Sequence, residues 1–474
     1  MFEFKLSEPP APAPSGGLYD VIIVGAGPAG IFTALELSRN GATNVLILDK
    51  GPDIEQRKCP ARRAGGRCAH CQPCRILTGW GGAGAFSDGK LTLSPVVGGH
   101  LADILGPEQA RALIDEVDTA FVHFGATGPV YVGDRDAVEQ LEKRATLAGL
   151  RLVSYPIRHT GTERSGAILR AMRDELLERG VDIRLRTEVA HILAEDGRSV
   201  GVETSDGESI RAQYVVVAPG REGADWLKER AQELNLSLER NPVDLGVRVE
   251  VPAEVLAPLT DLIYDPKLYY YSRRFDDQLR TFCTCPYGEV VTEYAGDVMT
   301  VNGHSYAERR SPNTNFAILV SKTFTEPFRE PIAYGKYIAR LANLLGDGII
   351  IQRLGDLRQG RRSTPKRLAR SIVTPTLKEA TPGDLGLVLP YRYWVNILEM
   401  LDAMDHFIPG VASDWALLYG VEVKFYSSRL ELTEELEAQV ENLFAAGDGA
   451  GVTRGLVQSA ASGLVVARAI LRRS

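Results

Sequence analysis

Asp20-Val21-Ile22-Ile23-Val24-Gly25-Ala26-Gly27-Pro28-Ala29-Gly30 is the stretch on which the fold turns. Its first five residues are a mostly β-branched apolar run suited to a buried parallel strand. Three glycines follow at the G-x-G-x-x-G spacing, and Ile31 to Arg39 reads as a helix. Gly41 and Asn44 mark a turn, and Val45-Leu46-Ile47-Leu48-Asp49 reads as a second strand, with Lys50 after it. Strand, glycine turn, helix, strand and acid together form the nucleotide-binding half of a Rossmann-like α/β fold.

Each part of that unit has a physical task. Gly25 permits the tight turn, Gly27 lets backbone approach a pyrophosphate, and Gly30 lets helix and strand pack closely. The helix start offers unpaired N–H groups and the positive end of its dipole to phosphates. Asp49 stands where a carboxylate accepts hydrogen bonds from a ribose diol, and it would repel a 2′-phosphate, so this site is not built for NADP. The motif by itself does not separate FAD from NAD.

The other end of the chain separates them. Asn442-Leu443-Phe444-Ala445-Ala446-Gly447-Asp448-Gly449-Ala450-Gly451 reads as a short strand ending in Gly-Asp, and Gly455 to Leu471 as a helix of small and apolar residues. Gly447 admits a cofactor to the backbone, Asp448 suits a ribityl hydroxyl, and the helix aims its N-terminus at the flavin end. Between the ends, 181–185, 187–189 and 192–203 read as alternating strands leading into Tyr214-Val215-Val216-Val217-Ala218-Pro219-Gly220.

These segments resemble the two-dinucleotide-binding-domain flavoproteins. More narrowly, Gly79-Trp80-Gly81-Gly82-Ala83-Gly84-Ala85-Phe86-Ser87-Asp88-Gly89-Lys90-Leu91, Phe282-Cys283-Thr284-Cys285-Pro286 and Gly420-Val421-Glu422-Val423-Lys424-Phe425-Tyr426-Ser427 are similar to a group of FAD-dependent dehydrogenases, from about residue 18 to the C-terminus. The resemblance implies a discontinuous Rossmann-like FAD-binding domain, 18–224 and 420–474, with a mixed α/β substrate or cap domain inserted at 225–419. It implies cofactor contacts from Gly25, Gly27, Pro28, Ala29, Gly30, Asp49 and Lys50. Further contacts would come from Gly82, Gly84, Ser87 and Lys90, from Val189, Ala218 and Gly220, and from Gly447, Asp448, Gly455 and Leu456. No catalytic residue is assigned. His304 is the one histidine placed where the inserted domain would meet the flavin.

No second glycine motif follows a strand within 225–440, so NAD(P)H, if it is the reductant, would bind over the flavin without a Rossmann unit of its own. Four cysteines fall close together at Cys59, Cys68, Cys71 and Cys74, beside His70. Three readings stay open: thiolate ligands for zinc or an iron–sulfur cluster, a redox-active Cys-x-x-Cys pair, or small side chains packing a tight loop. Cys283 and Cys285 stand on what reads as one strand, 279–291, and period-2 geometry points both to one face. Arg57, Lys58, Arg62, Arg63, Arg67 and Arg75 crowd the cysteine loop. Arg353, Arg358, Arg361, Arg362, Lys366, Arg367 and Arg370 form a second basic stretch. Both suit anions, and both also suit a solvated surface.

The 474 residues, 44% hydrophobic and 24% charged, allow two domains with ordinary cores. A net charge of −7 argues against a general nucleic-acid binder. No apolar run is long enough for a membrane span, and the Pro/Ala-rich start lacks the apolar region of a signal peptide, so a cytoplasmic protein is expected. No nucleophile elbow, Walker loop or H-E-x-x-H helix supports hydrolysis or phosphoryl transfer. The expected function is flavin-mediated dehydrogenation or reduction of a small organic substrate. Two alternatives are an electron-transfer flavoprotein with a Cys-bound cluster serving a redox partner protein, and an FAD-dependent RNA-modifying protein.

Overall fold

The strand Tyr19–Val24 runs parallel between Val45–Asp49 and Ser209–Val217, with Val21 opposite Val45 on one side and Tyr214 on the other. Asp182–Leu185 extends the sheet beyond Val45–Asp49, and Leu443–Ala445 extends it beyond Ser209–Val217, both in parallel. The computed structural model describes residues 18–41, 44–60, 71–87, 89–239, 242–295, 298–306, 309–325, 328, 330–425 and 429–473. Val21, Ile22 and Ile23 are wholly buried, as a central strand covered on both faces requires. Val189–Glu195 and Arg198–Thr204 form an antiparallel hairpin on the first half of Ser209–Val217.

The C-terminal strand therefore completes a sheet that the N-terminus begins. Helix Pro28–Arg39 packs on helix Leu456–Leu471, and Thr33 Oγ1 donates both to Ala29 O and to Gly463 O at 3.2 Å.

A second sheet of eight strands runs in the order Thr381–Pro382, Ile350–Arg353, Leu417–Lys424, Val243–Pro252, Asn313–Lys322, Gln278–Cys285, Lys267–Tyr271 and Arg151–Val153. All its pairings are antiparallel except the first, Ile350–Arg353 with Thr381–Pro382. Arg151–Val153 joins from well before residue 225, and Leu417–Lys424 carries the sheet past residue 419.

Alternation along Val243–Pro252 explains how this sheet is buried on both sides. Val243, Leu245, Val247, Val249 and Val251 belong to an apolar core with Ile397, Met400, Leu401 and Phe407 of helix Tyr391–Phe407. The intervening Asp244, Arg248 and Glu250 are buried polar groups, each with charged or hydrogen-bonding partners.

The single strand expected over 279–291 is two strands. Gln278–Cys285 stays in the large sheet, whereas Glu289–Ala295 pairs with Val298–His304 in a separate hairpin. Pro286 has no N–H to continue a ladder, and Tyr287 turns the chain at φ +51°. Among the described residues, no helix is long and apolar enough to cross a membrane.

Candidate functional site

A cavity of about 2380 Å³ opens along the C-terminal ends of the parallel strands and continues to the second sheet. Every cofactor contact expected from the sequence lines it except Gly30. Gly30 sits behind the turn, where a Cβ would fall 2.0 Å from Gly25 O, so its smallness serves packing. Gly25, at φ +112°, would set a Cβ 2.1 Å from Ala218 O, and its freedom serves the turn.

Gly27 differs from both. Its φ of −83° and ψ of −176° suit any residue, and an added Cβ would meet nothing nearer than Gly82 Cα at 3.9 Å. The fold makes no demand for glycine there, whereas a ligand pressed against the backbone does. Gly27 also caps helix Pro28–Arg39 without a side-chain hydrogen bond, leaving first-turn N–H groups for an anion. A dinucleotide pyrophosphate fits these features.

Asp49 has a fuller role than the sequence suggests. Its Oδ2 accepts from Ala26 N at 2.9 Å, and its Oδ1 accepts from Gly51 N at 2.7 Å and Gly79 N at 2.8 Å. The carboxylate thus ties the glycine turn to the Gly79 loop, and about one of its roughly four acceptor positions remains for a ribose diol. Lys50 and Glu188 face each other on the same wall, 3.9 Å apart.

Arg57 is almost wholly buried, and it donates to Arg75 O, Ile76 O and Trp80 O while lying over the Phe86 ring. Burial lowers its guanidinium to about 10, against the pull of Asp49. The basic residue that the sequence offers as an anion contact is a rivet for the loop under the cofactor. Arg57→Ala is expected to lower stability by about 2–4 kcal/mol in urea unfolding, because three carbonyls lose charge-assisted bonds at once.

Cys59 and Cys74 line the cavity. Among the described residues, no three His, Cys, Asp or Glu side chains gather as metal ligands. Cys68, His70, Arg62, Arg63 and Arg67 lie outside the described residues. The second basic stretch lies off the cavity wall and mostly faces solvent, with Arg358, Arg361, Arg362, Lys366 and Arg370 exposed; Arg361 Nε donates to Asp356 at 2.8 Å, and Arg353 lies over Trp415 at 4.5 Å.

At the C-terminal end, Asp448 accepts from Thr453 Oγ1 at 2.7 Å with Arg221 Nε 3.5 Å away, and burial raises its pKa. Gln458 Nε2 donates to Val97 O at 3.0 Å, joining the last helix to the loop that precedes His100.

The far wall comes from the second sheet, and sequence reasoning missed most of it. Tyr155 OH donates to Asp265 Oδ2 at 3.1 Å, Lys267 Nζ donates to both Asp265 oxygens, and Thr284 N donates to Asp265 Oδ1 at 2.9 Å. Burial opposes charge on Asp265, but Lys267, Lys90 and these donors prevail and lower its pKa. Burial beside Asp265 raises the Tyr155 phenol well above its usual range, so it holds its proton. No motif marks Tyr155, Asp265 or Lys267, since each becomes a neighbour only through sheet pairing. Lys90, expected from the sequence, reaches across to Thr284 O at 3.1 Å. His304 lines the same wall.

Further along, Asp277 accepts from Arg392, Lys322 and Asn396. Burial works against its charge, but these donors hold it at about 2. A depressed carboxylate stabilises the fold above the ordinary aspartate value near 4 and loses that contribution as pH falls toward 2. Asp277→Asn is therefore expected to flatten the acid limb of stability against pH between about 4 and 2, read by denaturant melts. An unchanged limb would contradict this assignment.

A family model described as FAD dependent oxidoreductase (DAO) matches residues 20–290, more than half of the chain. A second, described as FAD-dependent protein, C-terminal domain-like, matches residues 242–425. An uncharacterized protein of Clostridium beijerinckii is 27% identical over 480 residues, covering 95% of this chain and 80% of the relative. A ferredoxin–NAD(P)(+) reductase of a Sphingomonas species is 26% identical over 242 residues, covering 43% of this chain and 58% of that protein. Among solved structures, a glycine oxidase from Bacillus cereus aligns at a TM-score of 0.38 with 15% identity, covering 96% of each chain. An L-proline dehydrogenase from P. horikoshii aligns at 0.40 with 11% identity, covering 96% of this chain and 94% of its own.

Proposed function

This chain belongs to the FAD dependent oxidoreductase family, and from that premise we propose that it oxidises or reduces a small polar organic molecule in the space between its two sheets. When bound, FAD supplies the two-electron chemistry, and the protein supplies placement and environment. Gly27 and the helix start behind it would take the pyrophosphate. Asp49 and Lys50 would border the adenosine end, with Asp448 and the Gly455 helix start at the other. The Gly82–Ser87 segment and Lys90 lie between them.

One observation carries the reading: the cavity runs unbroken from Gly27 to Tyr155, Asp265 and Lys267, at about 2380 Å³. Pockets for a drug-sized ligand are roughly 300–1,000 Å³, so a dinucleotide leaves room for a second molecule. Lys267, held by ionised Asp265, has an N–H to offer that molecule, and the Tyr155 hydroxyl, whose proton goes to Asp265, offers it an acceptor oxygen; both keep the wall polar. Tyr155→Phe is expected to retain flavin and to lower turnover about tenfold, a loss near 1.4 kcal/mol.

The test is an anaerobic screen of amines, hydroxy acids, amino acids and NAD(P)H against the oxidised flavin band. Bleaching by an organic substrate in that set supports the proposal. Bleaching only by a reduced partner protein would move the reading to an electron-transfer flavoprotein.

A further inference from the structure

Cys283 lines the cavity, and Cys285 lies fully buried behind it. Their sulfurs are 3.7 Å apart. In a regular strand, side chains two apart repeat at about 6.6 Å, well beyond the roughly 3.5–4.5 Å between Cβ atoms that a disulfide needs. Here the register against Asn313–Lys322 slips between Phe282 and Cys285, which is a β-bulge. Cys283 takes φ +47°, a left-handed conformation that side chains other than glycine seldom adopt.

The bulge is anchored at each peptide group. Cys283 O accepts from Arg248 Nη1 at 3.2 Å, and Cys285 Sγ donates to the same oxygen at 3.3 Å. Thr284 N donates to Asp265, and Thr284 O accepts from Lys90 Nζ. Lys90 belongs to the glycine-rich segment expected along the flavin, so the bulge and that segment touch directly. Packing two small side chains would need neither the left-handed residue nor these tethers; holding two sulfurs together at a cavity wall uses both.

We propose that Cys283 and Cys285 form a redox-active dithiol that closes to a disulfide on the cavity wall and delivers its electrons to FAD. The proposal rests on FAD occupying the cavity, as family membership supplies. Two S–H bonds break, one S–S bond forms, and the electron pair with both protons passes to oxidised FAD, so atoms and charge balance. The sulfurs need to close from 3.7 Å to about 2.05 Å, within reach of side-chain rotation. Cys283 meets the acceptor from the cavity side, and Cys285 closes the bond from behind. The hydrogen bond with Cys283, together with burial, raises the Cys285 thiol well above its usual range, which keeps Cys285 protonated in the reduced pair. The chemical class of substrate this adds is a thiol or disulfide able to exchange with Cys283.

The test uses the FAD-loaded full chain. After treatment with diamide, free thiols are alkylated and the tryptic peptide Thr281–Arg309, which carries both cysteines, is weighed. The expected peptide carries no alkyl groups and is lighter than its reduced form by two hydrogens. In an anaerobic dithionite titration, the diamide-treated protein should take up about two more electrons per FAD than its Cys285→Ala variant. If that variant fails to fold, Cys283→Ala, which leaves the other cysteines in place, serves as the reference. Full alkylation of both cysteines after diamide would overturn the proposal, and so would a disulfide that adds no electrons to the titration. Absence of a flavin band would count against the FAD reading alone, since the peptide mass still reports on the pair.

Discussion

Gly27→Val is expected to yield a folded, colourless protein. The backbone at 27 accepts any residue, and the space above it holds no protein atom within 3.9 Å, so the fold should tolerate the change. The same space is where a pyrophosphate would rest on the helix start, and the valine methyl groups would fill it. Flavin affinity should fall by about 100-fold or more, a loss near 2.7 kcal/mol, measured by titrating apoprotein with FAD. The apoprotein should unfold within a few degrees of wild type, whereas the thermal gain on adding FAD should vanish. Gly25→Ala supplies the contrast, because its Cβ would meet Ala218 O at 2.1 Å from a left-handed backbone, and stability itself should drop. If Gly27→Val bound FAD as wild type does, the cofactor would lie elsewhere in the cavity.

Replacing Arg248 should have the largest effect on stability. Arg248 and Glu422 are both fully shielded from solvent and joined by two hydrogen bonds, at 2.7 and 3.0 Å. The same guanidinium donates to Asn315 Oδ1 at 2.7 Å and reaches Asn302 Oδ1 and Cys283 O. Burial opposes its charge, and Glu422 more than offsets this, so its pKa is raised. Arg248→Met leaves Glu422 buried with Lys424 as its remaining cation, 3.3 Å away. The expected loss is about 3–5 kcal/mol in urea unfolding, partly recovered by adding Glu422→Gln. A loss below about 1 kcal/mol would contradict the view that this pair holds the second sheet to the Cys283 bulge.

What could be read from the sequence depended on how local each feature is. The unit from Asp20 to Asp49 was legible because strand, turn, helix and strand are contiguous and each carries its own period. The terminal strand at 443–445 was legible because Gly-Asp follows an apolar run directly. The second sheet was not, since Arg151–Val153 and Lys267–Tyr271 meet only through long-range pairing that leaves no local mark. Asp49 showed its position but not its three backbone partners, which come from the glycine turn, from its own turn and from a loop thirty residues away. Cys283 and Cys285 showed their spacing, while the bulge that brings their sulfurs together depends on register against a distant strand. Arg57 read as one of a basic crowd, because its burial is decided by carbonyls that fold over it.

The most direct measurement is an anaerobic absorption spectrum of the purified protein, before and after dithionite. A resolved flavin band that bleaches on reduction, and that Gly27→Val lacks, is the result expected from a cofactor held between the two ends of the chain. No flavin band in the wild type, even after reconstitution with FAD, would contradict the account at its centre.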